Sequence, residues 1–529
     1  MRPLIQEIQT AHTPESLVEN LRGERGLVLL RTSQFDSPAA RYSFVTARPF
    51  LTFRSFGSRC EVTHHALAAP KRTEGGSRIT HHVQFGNPWH LLNTLMSRFE
   101  LLDEIDWPFP LGGAFGYWGY DLKNFTEPKL PRRAANDLEL PDCHVGFHDS
   151  LVVFDHRLGK VSVISTGIDA DGSRSEARAE ERLAFWKCKL SKTFTPHSES
   201  ETEKRHQPTA AGAQKTRQPF PPLLGERAGC DADVRLRENI FSNISRADFI
   251  SAVERAQKYI RAGDIYQVNL SHRLTAQCDL SGWEMFQKLS AVSPAPFAAF
   301  LDCGNGSPLS RFQIASSSPE QFLRMSGAHI VTRPIKGTRP RDADATRDAQ
   351  LAYELQTSAK ELAELVMITD LLRNDLGRVC EYGSVQVPEL ARLEKFAQVQ
   401  HLVSTVEGRL RNDVTHFDAF ASCFPGGSIT GAPKFRAMEI IDELEPLARG
   451  PYCGAIGYLG FNRESQLSIA IRLAVCQQGV AHFNVGAGIV ADSKPEAEYE
   501  ETLAKARGFL AALDLKTSDE RAKPIQLAD

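Results

Sequence analysis

Apolar and polar positions change their spacing along the chain, and this change predicts two kinds of region. Short apolar runs bounded by turn residues, such as 26–31 and 151–154, predict strands in the first part. Amphipathic spacing predicts helices near 246–262, 358–372 and 433–444. Because strands and helices do not alternate regularly, the pattern favours an α+β fold over a doubly wound sheet.

One long polar segment interrupts this pattern. Residues 196–229 contain several prolines and charged residues and show no periodicity, so we predict a flexible linker or insertion there. It separates an N-terminal β-rich region, 1–195, from a second region, 230–515. Residues 516–529 are polar and predict a frayed tail.

Composition narrows the class of protein. With 529 residues and 42% hydrophobic content, the chain can bury a large core in one large or two coupled domains. Its 62 basic and 65 acidic residues nearly balance, so the composition does not indicate a positively charged surface for nucleic acid. None of the ten cysteines forms a C-x-x-C pair, the chain start does not read as a signal peptide, and no apolar run is long enough to span a membrane. We therefore expect a soluble cytoplasmic protein with reduced thiols.

Lys336 is the first candidate for chemistry. It lies between Ile335 and Gly337, in a segment that also carries Arg333, Arg339 and Arg341. Burial and neighbouring cations both favour the neutral amine, and a neutral amine is a nucleophile. The alternative is an ordinary solvated lysine beside a turn.

Two carboxylate pairs follow. Glu361 and Glu364 share one helix face at i, i+3, and Glu498 and Glu501 repeat that spacing. If the two faces meet, their oxygens form a site suited to Mg²⁺.

The same glutamates have structural alternatives. Ser358 with Glu361, and Ser493 with Glu496, read as capping boxes. Glu501 is also four residues before Lys505, the spacing of a helical salt bridge. Spacing alone leaves both interpretations open.

Two glycine-bearing turns indicate an anionic ligand. In 426–434, free amides and the Thr430 hydroxyl could hold a carboxylate ahead of a helix. In 485–491, Gly486 and Gly488 favour close approach of the backbone to a small ligand, with a β-bulge as the alternative. No phosphate-binding G-x-x-x-x-G-K-[ST] loop is present.

Taken together, these motifs resemble the chorismate-utilising enzymes. The similarity covers roughly 249–508 closely and the N-terminal part loosely. The matching runs are 262–271, 318–320, 334–341, 370–377, 401–406, the Thr430 turn, and Gly486 through Glu501. The resemblance implies a two-sheet, mostly antiparallel β-sandwich flanked by helices, with catalysis in 230–515.

Single positions separate the chemistries within this family. Isochorismate and salicylate synthases carry a water-activating lysine where this chain has Gln267. Because a glutamine side chain does not titrate, it cannot act as the base, and attack by water at C2 is disfavoured. Anthranilate synthases typically read P-I-A-G-T, whereas P-I-K-G-T, with Lys336, is typical of the aminodeoxychorismate synthase branch. The resemblance therefore predicts amination of chorismate to 4-amino-4-deoxychorismate for para-aminobenzoate and folate synthesis. Anthranilate formation and a catalytically silent chorismate-binding subunit remain as alternatives.

The resemblance also implies roles for individual residues. Glu320 would protonate the departing 4-hydroxyl, Lys336 would attack C2, and ammonia would then displace the lysine by attack at C4. A Mg²⁺ ion would bind the ring carboxylate through Glu361, Glu364, Glu498 and Glu501. The substrate contacts would be Tyr452 and Arg472 at the pyruvyl carboxylate, His401 near the ring carboxylate, Lys505, Thr430, and the backbone at Gly337, Thr338, Gly486 and Gly488.

Two further expectations concern a partner and a structural motif. The chain shows no glutaminase nucleophile, so the resemblance implies that a separate glutamine amidotransferase (glutaminase) subunit supplies ammonia. In 370–377, we expect Arg373, Asn374 and Asp375 to end a helix and fix a turn by ion pairing, without a catalytic role.

Overall fold

The structure is a computed structural model that describes residues 2–32, 41–65, 80–104, 106–191, 234–237, 240–304, 311–396 and 398–513. The predicted linker, 196–229, and tail, 516–529, lie outside these ranges. The helices are α1 (Pro14–Asn20), α2 (Pro88–Ser97), α3 (Lys123–Thr126), α4 (Glu176–Ser191), α5 (Arg246–Ala262), α6 (Gly282–Val292), α7 (Ala345–Thr357), α8 (Ala359–Gly377), α9 (His416–Cys423), α10 (Lys434–Leu444) and α11 (Pro495–Ala512).

The strands come from both parts of the chain. They are β1 (Leu4–Glu7), β2 (Val28–Arg31), β3 (Tyr42–Thr46), β4 (Leu51–Phe56), β5 (Arg59–His64), β6 (Thr80–Phe85), β7 (Gly113–Trp118), β8 (Cys143–His148), β9 (Ser150–Asp155), β10 (Lys160–Ser165), β11 (Val234–Arg237), β12 (Ile240–Ser242), β13 (Gln267–Gln277), β14 (Phe297–Asp302), β15 (Gln313–Ser318), β16 (Gln321–Ser326), β17 (His329–Arg333), β18 (Ile335–Pro340), β19 (Gln386–Lys395), β20 (Val399–Arg409), β21 (Gly431–Ala432), β22 (Ala455–Gly460), β23 (Glu464–Ile469), β24 (Leu473–Gln477) and β25 (Val480–Ile489).

These strands form two antiparallel sheets. The first runs β1-β10-β9-β3-β2-β14-β15-β24-β25-β13-β12-β11, with β21 added beside β13. The second runs β18-β20-β17-β16-β23-β22-β7-β8-β4-β5-β6, with β19 added beside β20. The predicted α+β class and two-sheet antiparallel architecture are confirmed.

Both sheets join the two halves of the chain. In the first sheet β2 pairs with β14, so that Leu29 lies opposite Phe300. In the second, β7 pairs with β22, and Gly116 lies opposite Gly457. Neither sheet can therefore be completed by one half alone.

Strand β9 shows how the first sheet is buried on both faces. Leu151 and Val153 belong to the large core that also includes side chains of the second sheet, such as Phe53. Val152 and Phe154 point the other way, into a core shared with helices α1, α4, α6 and α11. This alternation, with apolar residues on both sides, explains why the strand reads as a continuous apolar run.

Residues at both ends of helix α5 determine where it begins and ends. The Ser245 side chain accepts a hydrogen bond from the Asp248 N–H at the start of α5, and Gly263, with φ +82°, ends it in the left-handed region. The helix therefore spans the predicted residues. No helix in the described ranges is both long and apolar enough to cross a membrane, and the nine cysteines described there are free thiols.

Candidate active site

Lys336 is presented by a bulged strand. In β18 it lies opposite Leu402 of β20, while Thr338 lies opposite His401, so Gly337 is an extra residue in the ladder. Gly337 has φ +71°, and a Cβ there would lie 2.7 Å from Leu355 Cδ1. Only glycine fits this position without strain. The Lys336 side chain is half-buried and has no hydrogen-bond partner in the described part of the chain.

The arginines near Lys336 in sequence are paired with carboxylates. Arg333 bonds to Glu394. Arg339 Nη1 lies 3.5 Å from Glu361 Oε1, and Arg341 Nε lies 2.7 Å from an oxygen of Asp348. The expectation that three free cations crowd Lys336 is therefore wrong, because each guanidinium is engaged by an acid from elsewhere in the fold.

Carboxylates surround Lys336 instead. Its charge lowers the pKa of Glu320, Glu364 and Glu501, which means that all three carboxyl groups lie within electrostatic reach of the amine. The interpretation of Lys336 as a solvated lysine is not supported. The amine and the predicted acids occupy one site.

Glu320 has the properties of a proton donor. It is buried in the turn between β15 and β16, and burial raises its pKa to about 7, although the Ser428 hydroxyl and the Lys336 charge oppose the shift. A carboxyl group with that pKa still carries a proton in part of the molecules at neutral pH. Ser428, in the 426–434 turn, therefore fixes the acid that faces Lys336.

The two glutamate pairs lie within electrostatic reach of each other. Burial raises the pKa of Glu364, and the charges of Glu361 and Glu501 raise it further. Burial likewise raises the pKa of Glu498, with a further contribution from Glu501. Burial also favours protonation of Glu501, but nearby lysines outweigh it and lower its pKa. Helices α8 and α11 thus bring the two pairs to one place.

These carboxylates fit a divalent cation by charge. Burial and, to a smaller extent, like-charge repulsion raise the pKa of Glu364 and Glu498, and a hard cation would relieve both effects. Within the described ranges, no three acidic, histidine or cysteine side chains converge tightly enough to form a ready-made metal cluster. Mg²⁺ at Glu361, Glu364, Glu498 and Glu501 therefore remains a prediction.

The structural roles considered for these glutamates, helix capping and a helical salt bridge, are seen for some of them. Of the capping box predicted at Ser358 and Glu361, the structure shows the Ser358 half, in which the hydroxyl accepts from the Glu361 N–H. Lys505 Nζ lies 2.8 Å from Glu501 Oε1. The Ser493 capping box is wrong, because α11 starts after Lys494 and the Ser493 hydroxyl accepts from the Val490 N–H at 3.0 Å. Capping and metal binding are compatible for Glu361, since the cap uses its backbone.

His401 and Arg472 form a second polar group in the site. The His401 ring is buried, and burial, together with the Arg472 charge, lowers its pKa to about 4, so the imidazole is neutral. Its Nδ1 lies 2.9 Å from Thr338 Oγ1. Arg472 sits in the left-handed region at φ +49°, and its guanidinium has no partner in the described part of the chain. It is free to bind a carboxylate.

Thr430 differs in role from the prediction. It is fully buried, and its hydroxyl donates to the carbonyl oxygens of Gly426 and Gly427 at 3.1 and 3.2 Å. The hydroxyl therefore closes its own turn, and the prediction that it binds an anion is not supported by this hydrogen bond. Arg449 fixes the same turn by donating to the Ile429 carbonyl oxygen.

Tyr452 lies beside the arginine that fixes this turn. Arg449 packs 5.9 Å from the centre of the Tyr452 ring and donates to the Asn269 carbonyl oxygen at 2.8 Å. Burial raises the pKa of the Tyr452 hydroxyl well above its usual value. The phenol is therefore a neutral hydrogen-bond donor.

Gly486 and Gly488 line one side of the site. They lie on β25, which pairs with β13 over ten consecutive positions without a register shift, so the β-bulge alternative is wrong. A Cβ at 488 would lie 2.6 Å from Gln267 Nε2. Lys505 Nζ donates to the Gly486 carbonyl oxygen at 2.8 Å. The close-approach interpretation fits this geometry.

The 370–377 segment, which was predicted to end a helix and fix a turn, behaves in part as predicted. Lys434 Nζ bonds to Asp375 Oδ2 at 2.5 Å and to the carbonyl oxygens of Cys423 and Pro425 at 3.1 and 2.9 Å. This ion pair locks the start of the 426–434 turn. Helix α8 runs on to Gly377, however, because the buried Asp375 completes its last turn.

Sequence reasoning missed several contributors. Ser428 lies inside the 426–434 turn that the sequence had already singled out, so its position was a usable signal. The bond from Arg449 to the Asn269 carbonyl could not be read from the sequence, because the two residues are 180 positions apart in the chain.

The assembled groups suit a small substrate with more than one carboxylate. A half-buried amine, a buried acid with a pKa of about 7, a free guanidinium and facing glutamate pairs lie around glycine-lined backbone. Such a site can protonate a leaving hydroxyl and attack a neighbouring carbon.

Known proteins with similar sequences fit this chemistry. Residues 56–511 match the model of a family described as chorismate binding enzyme. The chain is 38% identical to aminodeoxychorismate synthase component 1 of Salmonella typhimurium, over 92% of this chain and 93% of that protein. It is 36% identical to anthranilate synthase component 1 of Acetivibrio thermocellus, over 97% of this chain and 95% of that protein.

A solved structure extends the similarity to the fold. Anthranilate synthase component I from Streptococcus pneumoniae TIGR4 superimposes with a TM-score of 0.66 at 30% identity, covering 90% of this chain and 93% of that chain. The relatives differ in the product that their names imply. Overall similarity therefore fixes the type of enzyme but does not choose between the two products.

Proposed function

The chain belongs to the chorismate binding enzymes, as a synthase of the anthranilate and aminodeoxychorismate type, and we propose that it aminates chorismate at C4 to give 4-amino-4-deoxychorismate. The observation that carries this proposal is Lys336. Its half-buried amine has no hydrogen-bond partner in the described residues and shares a site with Glu320. An amine so placed is a nucleophile without a structural task.

The first displacement uses Lys336 and Glu320. A neighbouring carboxylate takes a proton from Lys336. The neutral amine then attacks C2 of the ring, the double bond shifts, and the C4–oxygen bond breaks. Glu320 gives its proton to the departing oxygen, which leaves as water. The raised pKa of Glu320 suits this role, because the carboxyl keeps a proton near neutral pH.

The second displacement reverses the shift. Ammonia attacks C4, the C2–nitrogen bond breaks, and its electron pair returns to Lys336. Glu320, now ionised, accepts the proton that the new C4 amine releases. A covalent intermediate thus divides one difficult substitution into two easier ones.

The remaining residues hold the substrate. Arg472 and Tyr452 would bind the pyruvyl carboxylate, and neutral His401 would donate toward the ring carboxylate. A Mg²⁺ ion at Glu361, Glu364, Glu498 and Glu501 would supply positive charge to that carboxylate. The rest of the substrate site would be lined by Lys505 and by the backbone at Gly337, Thr338, Gly486 and Gly488. The Thr430 turn would lie behind these residues.

The ammonia would come from a separate glutaminase subunit, as the relatives' designation "component 1" suggests for those proteins. Gel filtration with a cognate glutaminase would test complex formation. Activity with glutamine should appear only in the mixture, whereas ammonium salts should support the isolated chain.

Product analysis tests the function. With chorismate, MgCl₂ and an ammonium salt, we expect 4-amino-4-deoxychorismate without release of pyruvate. Lys336→Ala should abolish this product, while Lys258→Ala, an exposed lysine on α5, should not. Wild-type anthranilate and pyruvate would contradict C4 amination. Full C4 activity in Lys336→Ala would contradict the covalent route.

Anthranilate formation is the second candidate, because anthranilate synthases are as similar in sequence as aminodeoxychorismate synthases. The same chromatogram decides between them.

A further inference from the structure

Strand β8 carries two buried histidines on the face that points into the sandwich. His144, Gly146 and His148 alternate along the strand and therefore share one face. A small cavity is lined by this face and by Leu301 of the first sheet, so it lies between the two sheets. The space between packed sheets is normally filled by apolar side chains. Two imidazoles in this position therefore indicate a task other than packing.

The hydrogen bonds of His148 fix which of its ring nitrogens carries the proton. The Thr46 hydroxyl donates to the Ser150 carbonyl oxygen at 2.8 Å, so it can only accept from His148 Nδ1, which lies 2.9 Å away. The Ala47 carbonyl oxygen, 3.4 Å from the same nitrogen, also requires a donor there. In the neutral ring, Nε2 therefore carries a lone pair. This nitrogen is buried without a partner in the described part of the chain.

His144 repeats the feature at the other end of the face. Its Nδ1 is buried without a hydrogen-bond partner in the ranges that the structure describes. Gly146 leaves open space between the two rings, because a Cβ there would lie 2.7 Å from His148 Nε2. Buried polar atoms nearly always have partners. One exception could be incidental, but two around one cavity define a polar site.

An unpaired cation stands at the same cavity. Arg25 lines it, and its guanidinium makes no ion pair or hydrogen bond within the described residues. Arg54 and Arg182 differ, because they pair with Glu61 and Asp149. Arg25 is exposed, whereas the histidines are buried, so it marks the opening of the cavity.

The charges around the two rings are mainly positive. Burial lowers the pKa of both rings to about 3, and the charge of Arg54 at His144 and of Arg182 at His148 lowers it further. With Arg25 at the opening, three guanidinium groups surround the cavity. A positive potential of this kind attracts an anion.

The other titratable groups beside the cavity supply no free negative charge. Asp302 lines it, but its carboxylate accepts from Arg311. Cys303 also lines it, and burial raises the pKa of that thiol well above its usual value, so the thiol is neutral. His65 Nε2 lies 2.9 Å from Thr52 Oγ1, and its Nδ1 is a third buried nitrogen without a partner in the described residues.

The size of the cavity limits the ligand. It admits about one body of the size of a water molecule. Water would bond to the ring nitrogens but would leave the Arg25 charge unmatched, and a metal cation would be repelled by the arginines. A small anion fits both, because a ring that gains a proton becomes a donor toward it. His148 would keep its bond to Thr46 in that state, since Nδ1 already donates.

We infer that this cavity is a binding site for one small monovalent anion of the size of chloride, held between Arg25, His144 and His148. Binding takes up one proton from solvent, which goes to a ring nitrogen that faces the anion. None of the residues that line the cavity belongs to the candidate active site, so the inference does not depend on the proposed function.

Thermal unfolding of the full chain in chloride tests the inference. Sodium chloride replaces sodium gluconate at constant ionic strength, because gluconate is too large for the cavity. We expect Tm to rise and then to level off, by about 2 °C at about ten times the dissociation constant. Because binding takes up a proton, the half-saturating chloride concentration should be lower at pH 6 than at pH 8.

Three variants show whether the effect arises at this cavity. His148→Phe keeps a ring but removes both nitrogens, so the chloride-dependent rise should disappear. Arg25→Gln changes an exposed residue and should reduce the rise, which keeps the test decisive if His148→Phe fails to fold. His90→Phe, the matched control, changes an exposed histidine on α2 and should leave the rise unchanged.

Diffraction from crystals soaked in sodium bromide locates the ion directly. We expect an anomalous peak between Arg25, His144 and His148. A water or a metal ion in the cavity would overturn the inference, and so would a chloride effect that both variants retain. A bromide peak without any chloride-dependent rise in Tm would mean binding at crystal concentration only, which also contradicts the inference.

Discussion

Two buried or half-buried lysines near the site differ in what their amines contact. Lys434 bonds to three acceptors, which are Asp375 and the carbonyl oxygens of Cys423 and Pro425. Lys336 has no such acceptor in the described residues, although carboxylates lie within electrostatic reach. An ammonium whose three donors are used holds structure together, whereas a lysine without acceptors can give up a proton and then act as a nucleophile.

Their acidic neighbours differ in the same way. Burial raises the pKa of Asp375, but Lys434 contacts it directly and opposes the shift. Burial raises the pKa of Glu320 to about 7, and its main polar contact is the Ser428 hydroxyl. One acid belongs to a closed ion pair, and the other is left able to exchange a proton.

The sharpest test of this contrast is Lys336→Met. We expect amination to fall by at least about 10⁴-fold, because a covalent nucleophile is removed. The free energy of unfolding should change by less than about 1 kcal/mol, since no hydrogen bond is lost. Product assays and urea denaturation measure the two quantities. A large loss of stability would mean that Lys336 is structural after all.

Glu320→Gln should reduce the rate about 10²- to 10⁴-fold, the usual contribution of a general acid. In the wild type, the rate should fall as the pH rises through about 7, because Glu320 then loses its proton. The variant should lack that decline. A pH–rate profile of both proteins measures this, and an identical decline in the variant would assign the titration to another group.

Lys434→Met should mainly affect stability. Removing the cation leaves Asp375 buried and unpaired, which costs about 3–5 kcal/mol. Denaturant midpoints give the change. The double variant Asp375→Leu/Lys434→Met should recover much of the loss, because both charges are then absent. No recovery would show that the bonds to Cys423 and Pro425 dominate.

A single buried histidine in the N-terminal part should give the smallest effect per pH unit. Burial lowers the pKa of His65 to about 4 and of His144 and His148 to about 3. Below about pH 6.5 these histidines are protonated in the unfolded chain but stay neutral in the folded protein. Each histidine should therefore lower the free energy of unfolding by about 1.4 kcal/mol per pH unit as the pH falls toward 4.

Urea denaturation between pH 7.5 and 5 measures that slope. Glu320 acts in the opposite direction between about pH 7 and 4.5, because its folded pKa is raised, so the Glu320→Gln background is the better one. A slope unchanged by His144→Phe would show that this ring is already protonated in the fold.

Periodic patterns predicted the local structure well. Helix α5 matches its predicted span, because Ser245 and Gly263 mark its ends in the sequence. The shared face within each glutamate pair was also predicted, since i, i+3 spacing places two residues on one side of a helix. Both inferences rest on short-range geometry.

Long-range contacts escaped prediction. The acids that engage Arg333 and Arg339 come from distant strands and helices, so the sequence suggested crowded cations where the fold contains ion pairs. The unsatisfied amide of Gln267 was equally hidden, because only the folded chain shows which polar atoms lack partners. Such facts depend on what the tertiary structure brings together.

The sharing of both sheets between chain halves has a consequence during synthesis. When the first 200 residues have left the ribosome, β2 still lacks β14, and β7 still lacks β22, which begins at Ala455. The edge of β2 stays open until β14 has been made, and the edge of β7 stays open until β22 has been made much later. Open edges invite pairing with other chains. Yield in a recombinant host should therefore depend on translation speed and chaperone supply more than on the stability of the finished enzyme.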